Sequence, residues 1–390
     1  MIKIKLKDFI ILVGLLIFCT NIRAQSFDIG HASITFYDSS RNRYIETEVY
    51  YPAYNSGENT PIASGNFPVI VFGHGFLMSW ASYENFWTEL VPNGYVICFP
   101  TTEMTLTPNH ENFGLDLKFA AAQMQNENND SSSLFFNSLA PKTGLMGHSM
   151  GGGASFLAAE NNTIIHTLVT FAAAETNPSA ISSSSNITVP TLIFSGDDDC
   201  VTPPDENQIL MYNYLASTCK THISIIGGGH CYFADDNFNC TLGESFCNST
   251  LNITREEQQL ITFNFLKLWL NYFLYDDLNA FNDFDDALQI STQINFTQFC
   301  NTLTNQDISG QDTFEIYPNP VINKLNLLIP IEHTDGILTM YNLVGQQVYQ
   351  SLITNTTNQI DVSNYPNGPY FIVYNKNSIM QYYKIIKIDR

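Results

Sequence analysis

The sequence predicts an α/β protein, a parallel sheet with helices on both faces, followed by a small all-β sandwich. Three observations carry that expectation. From about Phe27 to Cys300, short continuous apolar runs alternate with helical segments, the pattern of strands buried on both faces. From Thr313 to Arg390 the runs shorten, switch to period two and are broken by Gly, Asn, Pro and Asp, which is the texture of an antiparallel sandwich. The chain has 390 residues, 44% of them hydrophobic, so it is long enough for two or three domains and apolar enough to fill their cores.

The first segment is not expected in the folded domain. Lys3, Lys5 and Lys7 precede an apolar run from Phe9 to Thr20 and the small residue Ala24, the layout of a secretory signal cut near Ala24. The run is too short to span a bilayer, which takes roughly 20 residues, so no stable membrane insertion is expected. The domain expectation is a signal peptide at 1–24, an α/β domain at 25–300, a polar linker at 301–312 and the sandwich at 313–390.

Within the α/β region, Phe67–Phe72, Tyr95–Phe99, Thr143–Met146, His166–Ala173, Val189–Phe194 and His222–Ile226 read as strands. Trp80–Val91, Leu115–Met124, Gly151–Glu160 and Glu206–Ala216 read as helices between them. A last long helix opens at Thr254-Arg-Glu-Glu257, where hydroxyl and carboxylate satisfy orphan backbone donors in a capping box. Folds of this kind place their sites at the carboxyl ends of the strands. In the sandwich, strands are expected at Leu325–Ile329, Ile337–Tyr341, Gln347–Tyr349, Tyr370–Tyr374 and Tyr382–Ile388.

Charge narrows the partners. The formal net charge is -21, and residues 25–312 hold 31 acids against seven bases whereas 313–390 hold five of each. The acidity therefore belongs to the α/β domain. Such a surface repels phosphate backbones and anionic lipids, which excludes nucleic acid as a partner. The acids at Asp276-Asp277 and Asp283–Asp286 read as a solvated helix end and loop in preference to a Ca²⁺ site. No zinc-ligand spacing is present, and no metal or cofactor is expected.

The residues that carry chemistry sit at strand ends. Gly147-His-Ser-Met-Gly151 follows one strand and opens a helix rich in small residues. A nucleophile on so sharp a turn needs neighbours without side chains, and Gly147, Gly151, Gly152 and Gly153 supply that space. Ser149 is the candidate nucleophile, and it needs a histidine to take its proton and a carboxylate to orient that histidine. His230, in Gly227-Gly-Gly-His230 after the strand ending at Ile226, is the base. His222 would lie at the far end of its strand and His148 inside the elbow turn, while His31, His110, His166 and His333 have no such junction. The acid comes from Asp197, Asp198 and Asp199, all of which follow the strand ending at Phe194. Two backbone N–H groups are candidate oxyanion donors, that of Met150 after the nucleophile and that of Phe76 in Gly73-His-Gly-Phe76. His74 reads as a brace for that loop.

These motifs resemble the α/β-hydrolase superfamily. The His-Gly-Phe loop, Gly147–Gly153, Val189–Phe194, the Asp199-x-x-x-Pro203 spacing and Gly228-Gly-His230 are most similar to the cutinase-like polyester hydrolases, including poly(ethylene terephthalate) hydrolases. Next come the dienelactone hydrolase, chlorophyllase and platelet-activating-factor acetylhydrolase group, which Asp38–Arg43 and Val49-Tyr-Tyr-Pro52 also resemble. The likeness runs from about Phe67 to Trp269. It implies a three-layer α/β-hydrolase fold, selects Asp199 as the acid standing four residues before a proline, and places the side chains of Phe76 and Met150 along an acyl pocket. The polyester hydrolases carry a tryptophan in the loop before the Val-Pro-Thr strand, but here Glu175–Asn186 has no aromatic residue. Trp80 is the candidate to replace it from the oxyanion side, with Trp87 second and a packing role open for both.

The fifty residues from Ser149 to Asp199 hold one helix, one strand, a Ser-rich loop and another strand, and no cap domain fits there or between Asp199 and His230. An open site is expected. The functional expectation is a secreted serine ester hydrolase with an acyl-enzyme at Ser149, acting as a monomer on polyester or cutin-like substrates. The alternatives are a small-ester or lipid esterase and a catalytically silent surface-binding protein.

Seven cysteines follow the signal, an odd number that requires a free thiol. Cys98 in a buried strand is that thiol. Cys200 and Cys231 adjoin the candidate acid and base on neighbouring strands and are expected to pair, with Cys240–Cys247 formed locally and Cys219–Cys300 completing the set. Cys200–Cys219 is excluded because the helix between them spans roughly 16 Å.

The region Phe314–Arg390 resembles the type A sorting domain of the Bacteroidetes type IX secretion system, through Tyr317-Pro-Asn-Pro-Val321, Tyr341-Asn-Leu-Val-Gly345, Ile360-Asp-Val-Ser363 and Gly368-Pro-Tyr370. The resemblance implies the type IX machinery as a partner and secretion or cell-surface attachment as the destination. A carbohydrate-binding module, resting on Tyr370, Tyr382 and Tyr383, is the rival.

Overall fold

The computed structural model describes residues 26–247, 251–300, 315–329, 334–342, 346–376 and 379–389. The expected leader 1–24 and linker 301–312 lie outside the described residues, as do His333, residues 343–345 of the Tyr341–Gly345 turn and the side chain of Tyr382. The described residues form two units.

The first unit is built on a ten-stranded sheet. Its strands are β1 (Asp28–Asp38), β2 (Arg43–Ala53), β3 (Gly57–Glu58), β4 (Phe67–Gly73), β5 (Val96–Pro100), β6 (Leu139–His148), β7 (Ile165–Phe171), β8 (Thr191–Gly196), β9 (Cys219–Ile225) and β10 (Ile294–Cys300). They lie in the order β10-β9-β8-β7-β6-β4-β5-β2-β1-β3. The helices are α1 (Glu84–Leu90), α2 (His110–Glu127), α3 (Met150–Ala159), α4 (Ala180–Ser184), α5 (Gln208–Tyr214), α6 (Phe238–Glu244), α7 (Arg255–Tyr275) and α8 (Leu278–Ile290).

Side chains alternate across a strand, so each central strand feeds two cores. Val69 and Val71 of β4 pack with Phe113 and Leu117 of α2 and Ala154 and Ala158 of α3. Ile70 and Phe72 pack on the other side with Phe86 of α1, Leu266 and Trp269 of α7 and Phe284 of α8. Both faces are covered, which is why these strands read as unbroken apolar runs. The predicted capping box is present, with Thr254 and Glu257 satisfying each other's backbone N–H groups at the start of α7.

The sheet is mixed where the sequence suggested a parallel one. Strands β5, β4, β6, β7, β8 and β9 are mutually parallel, but β2 joins β5 antiparallel, β1 joins β2 antiparallel, and β10 joins β9 antiparallel. These flanking strands alternate between buried and exposed residues, so a search for continuous apolar runs passes over them. Nor is Trp80–Val91 a single helix. It divides into a 3₁₀ turn at Trp80–Tyr83, α1, and a second 3₁₀ turn at Val91–Asn93 that stops at Gly94 with φ 98°, a left-handed position suited to glycine.

The second unit holds two antiparallel sheets. One consists of β11 (Glu315–Tyr317), β12 (Lys324–Leu328) and β15 (Thr357–Asp361), and the other of β13 (Ile337–Asn342), β14 (Gln347–Leu352), β16 (Gly368–Lys376) and β17 (Ile379–Lys387). Leu325 and Leu327 from one sheet and Met340, Ile372 and Tyr374 from the other share one core. Tyr370 is buried in that core and Tyr383 packs against it, which places both in the interior sooner than on a sugar-binding face.

Candidate active site

The parallel strands put their carboxyl ends on one edge, and the candidate residues gather there. Ser149 joins β6 to α3, Asp199 follows β8 and His230 follows β9. His230 Nε2 lies 2.9 Å from Ser149 Oγ, and His230 Nδ1 lies 2.9 Å from Asp199 Oδ2. The three are buried, with relative exposures of 9% for Ser149, 4% for Asp199 and 3% for His230.

Ser149 holds φ 56°, ψ -123°, a strained backbone that persists only when its surroundings over-determine it. Its N–H donates to Phe171 O at 3.0 Å, and its carbonyl accepts from Ala174 N at 2.9 Å and Gly153 N at 3.1 Å. The glycines have a steric reason to be there. A Cβ on Gly151 would meet Gly73 O at 2.1 Å, and one on Gly147 would meet Gly151 O at 2.3 Å.

The three consecutive aspartates separate by environment. Asp197 Oδ1 accepts from Gly227 N, tying the acid loop to the histidine loop, and Asp198 accepts from Asn252 Nδ2. Only Asp199 of the three hydrogen-bonds His230. Its Oδ1 accepts from the N–H groups of Val201 and Thr202 at 2.8 and 2.9 Å. Burial opposes its charge, but the facing His230 and these hydrogen bonds outweigh burial and hold its pKa below the usual carboxylate value, as expected when the ionised form is the one solvated by donors.

Several residues at the site carry no motif. Thr202 Oγ1 lies 2.8 Å from Asp199 Oδ2 and 3.1 Å from His230 Nδ1, and it accepts from Gln208 Nε2 at 3.2 Å. Gln258, fully buried in α7, brackets the residue before the histidine, since its Oε1 accepts from Gly229 N and its Nε2 donates to Gly229 O, both at 2.9 Å. A glutamine on the buried face of an apolar helix was the one signal available for it.

Of the candidate oxyanion donors, Met150 is the first residue of α3, where backbone N–H groups have no intrahelical partner. Phe76 lies three residues beyond β4 and is 45% exposed. His74 is buried, with Nδ1 2.9 Å from Gly75 O and Nε2 2.8 Å from Thr102 O, a position that fits a brace. The Met150 side chain is only 4% exposed and packs in the core. Trp80 is half-buried and packs against the core, and Trp87 stacks on the Tyr50 ring at 4.1 Å. Both tryptophans are thus engaged in packing. The loop before β8 instead holds the short helix α4, capped by the Ser179 side chain.

The disulfide expectation is corrected in two of three pairs. Cys219–Cys300 forms, with the two residues opposite each other on β9 and β10. Cys200 pairs with Cys247 and Cys231 with Cys240, not Cys200 with Cys231 and Cys240 with Cys247. The reason is α6, which lies beside both catalytic loops and offers Cys240 to one and, just past its end, Cys247 to the other. Cys98 is buried and free. Among the described residues no His, Cys, Asp or Glu cluster is arranged to hold a metal, and no helix is long and apolar enough to cross a membrane.

Residues 23–249 match the family model described as PET hydrolase-like, and residues 315–388 match the secretion system C-terminal sorting domain. Cutinase est1 from Thermobifida alba is 26% identical over 197 residues, covering 50% of this chain and 60% of the relative. The chain therefore spans less than two thirds of that curated relative. The type IX sorting domain marks the chain for secretion or the cell surface. Because the catalytic match covers more than half of the chain, this protein belongs to the PET hydrolase-like family, with its α/β-hydrolase fold, and ends in a type IX secretion sorting domain.

Proposed function

We propose that this chain is a secreted serine ester hydrolase that forms an acyl-enzyme at Ser149 and resolves it with water, acting on polyester or cutin-like substrates. The observation that carries the reading is the unbroken hydrogen-bond chain Asp199–His230–Ser149 at the start of α3. His230 takes the serine proton as Ser149 Oγ attacks the ester carbonyl, and it returns that proton to the leaving alcohol. Asp199 holds the imidazole with Nε2 toward the serine and stabilises the imidazolium. The N–H groups of Met150 and Phe76 receive the oxyanion. A water activated by the same histidine then releases the acid.

An extended substrate is favoured by what surrounds the triad. Only α3, β7, α4 and β8 separate Ser149 from Asp199, and only α5 and β9 separate Asp199 from His230, so no cap domain is inserted between the triad residues. Phe76 is exposed at 45%, and α6, hydrogen-bonded to the same loop through Asn239 Nδ2 and Leu77 O at 2.7 Å, presents Phe238 and Leu242 to water at 77% and 48%, with Phe246 in the turn just after it at 83%. Cys240 faces inward, so Phe238 and Leu242, one turn apart, form an outward apolar strip. The absence of an aromatic residue in Glu175–Asn186 favours a small-ester esterase as the second reading.

Hydrolysis of a short p-nitrophenyl ester, lost in Ser149→Ala, tests the enzyme assignment, and inactivity across acyl lengths would overturn it. Release of soluble monomers from a polyester film separates the polymer reading from the small-ester one.

A further inference from the structure

A buried chain of hydrogen bonds links the two loops that must act together. Gly75, directly before the oxyanion candidate Phe76, donates its N–H to Tyr83 Oη at 2.7 Å. Tyr83 Oη lies 3.1 Å from His148 Nδ1, and His148 Nε2 lies 3.0 Å from the backbone carbonyl of His230. Tyr83 and His148 are both 0% exposed.

Only one proton arrangement satisfies every member. The His230 carbonyl can only accept, so His148 carries its proton on Nε2 and leaves Nδ1 as an acceptor. Tyr83 must then donate to Nδ1, although Met78 Sδ lies 3.4 Å away as a weaker alternative, and its lone pair accepts from Gly75. Burial first, and the neighbouring His230 second, pull the His148 pKa down to about 3, which keeps the ring neutral. Burial likewise raises the Tyr83 pKa and keeps its hydroxyl protonated. Tyr83 is fixed in turn by Phe72, whose ring centroid is 4.7 Å away. The approach is close enough that a Cβ on Gly75 would stand 2.6 Å from Met78 Sδ and 3.3 Å from His148 Nδ1.

We propose that Tyr83 and His148 are positioning residues that set the distance between the oxyanion donor at Phe76 and the base His230, because their hydrogen bonds join the β4 loop to the β9 loop beneath the nucleophile. Neither residue touches substrate. Each half of the chain leaves a buried polar group unpaired if the other is removed, so the two act as one unit. The inference rests on the serine-hydrolase reading above.

The test uses the secreted full chain as wild type, Ser149→Ala, Tyr83→Phe, His148→Leu and His148→Gln. Steady-state kinetics on p-nitrophenyl butyrate are measured per competent site, counted by phosphonate titration, beside the single-turnover phosphonylation rate and the thermal midpoint. Tyr83→Phe and His148→Leu are expected to lower kcat and the phosphonylation rate about tenfold, with KM within about twofold. His148→Gln, whose amide still donates to the His230 carbonyl, is expected to recover most of that loss. Per-site rates at the wild-type level, with only the midpoint or the number of competent sites reduced, would overturn the inference while leaving the enzyme intact. A wild type as inert as Ser149→Ala would overturn the enzyme reading, and the inference with it.

Discussion

Thr202 places its hydroxyl 2.8 Å from Asp199 Oδ2 and 3.1 Å from His230 Nδ1, inside the angle formed by the acid and the base. The carboxylate is the strongest acceptor in reach, so the hydroxyl proton goes to Asp199 and Gln208 fills the oxygen's other side. Thr202→Val keeps the shape and removes that bond to a charged group. A drop in kcat of about tenfold with unchanged KM is expected. Steady-state kinetics beside Asp199→Asn, which should lose more, check it; an unchanged kcat would assign Thr202 to packing alone.

The two disulfides at α6 differ in the loop they close. Cys200–Cys247 spans 47 residues and Cys231–Cys240 spans nine, and chain-entropy reasoning makes the longer closure worth about 4 kcal/mol against about 3 kcal/mol. Cys200→Ser/Cys247→Ser should therefore lower the thermal midpoint more than Cys231→Ser/Cys240→Ser. Calorimetry compares them, and non-reducing peptide mapping must recover the Cys200–Cys247 and Cys231–Cys240 peptides.

Acid sensitivity should come in part from a histidine remote from the nucleophile. His222 is buried with Nε2 2.8 Å from Ser195 Oγ, and burial lowers its pKa from 6.5 to about 4. Between those values the unfolded chain takes up a proton that the folded chain refuses, so stability falls as pH drops below 6.5 and levels off near 4. His222→Gln should flatten this part of the profile, by up to about 3 kcal/mol at pH 4. Urea melts from pH 7 to pH 4 measure it, and parallel profiles would refute the assignment.

The exposed apolar residues of α6 and the turn after it should matter at a surface and not in solution. Phe238→Ser/Phe246→Ser is expected to slow monomer release from a polyester film severalfold while leaving p-nitrophenyl ester hydrolysis within about twofold, since exposed rings contribute through buried area only when something covers them. Equal losses on both substrates would tie these residues to loop integrity instead.

The acidic surface should sort substrates by charge. Residues 25–312 carry seven bases against 31 acids, so at low ionic strength neutral esters should outpace anionic esters of equal size, and salt should narrow the gap. Faster turnover of the anionic ester at low salt would contradict this.

Local chemistry made the nucleophile turn, the histidine junction, the capping box at Thr254 and the central strands legible from sequence, because each depends on residues adjacent in the chain. The Ser149 elbow needs glycine where a Cβ would strike neighbouring backbone, as at Gly147, whose Cβ would meet Gly151 O at 2.3 Å. What the sequence could not contain is set by distance across the fold. Cys200 and Cys231 stand beside the acid and the base, yet the partner of each is chosen by where α6 lies. Gln258, Tyr83 and His148, and the contact of Thr202 with His230, became part of the site only when separate strands brought their loops to one edge of the sheet. A hydrogen bond is decided by a few tenths of an ångström between groups far apart in the chain, and that spacing is a property of the packed structure.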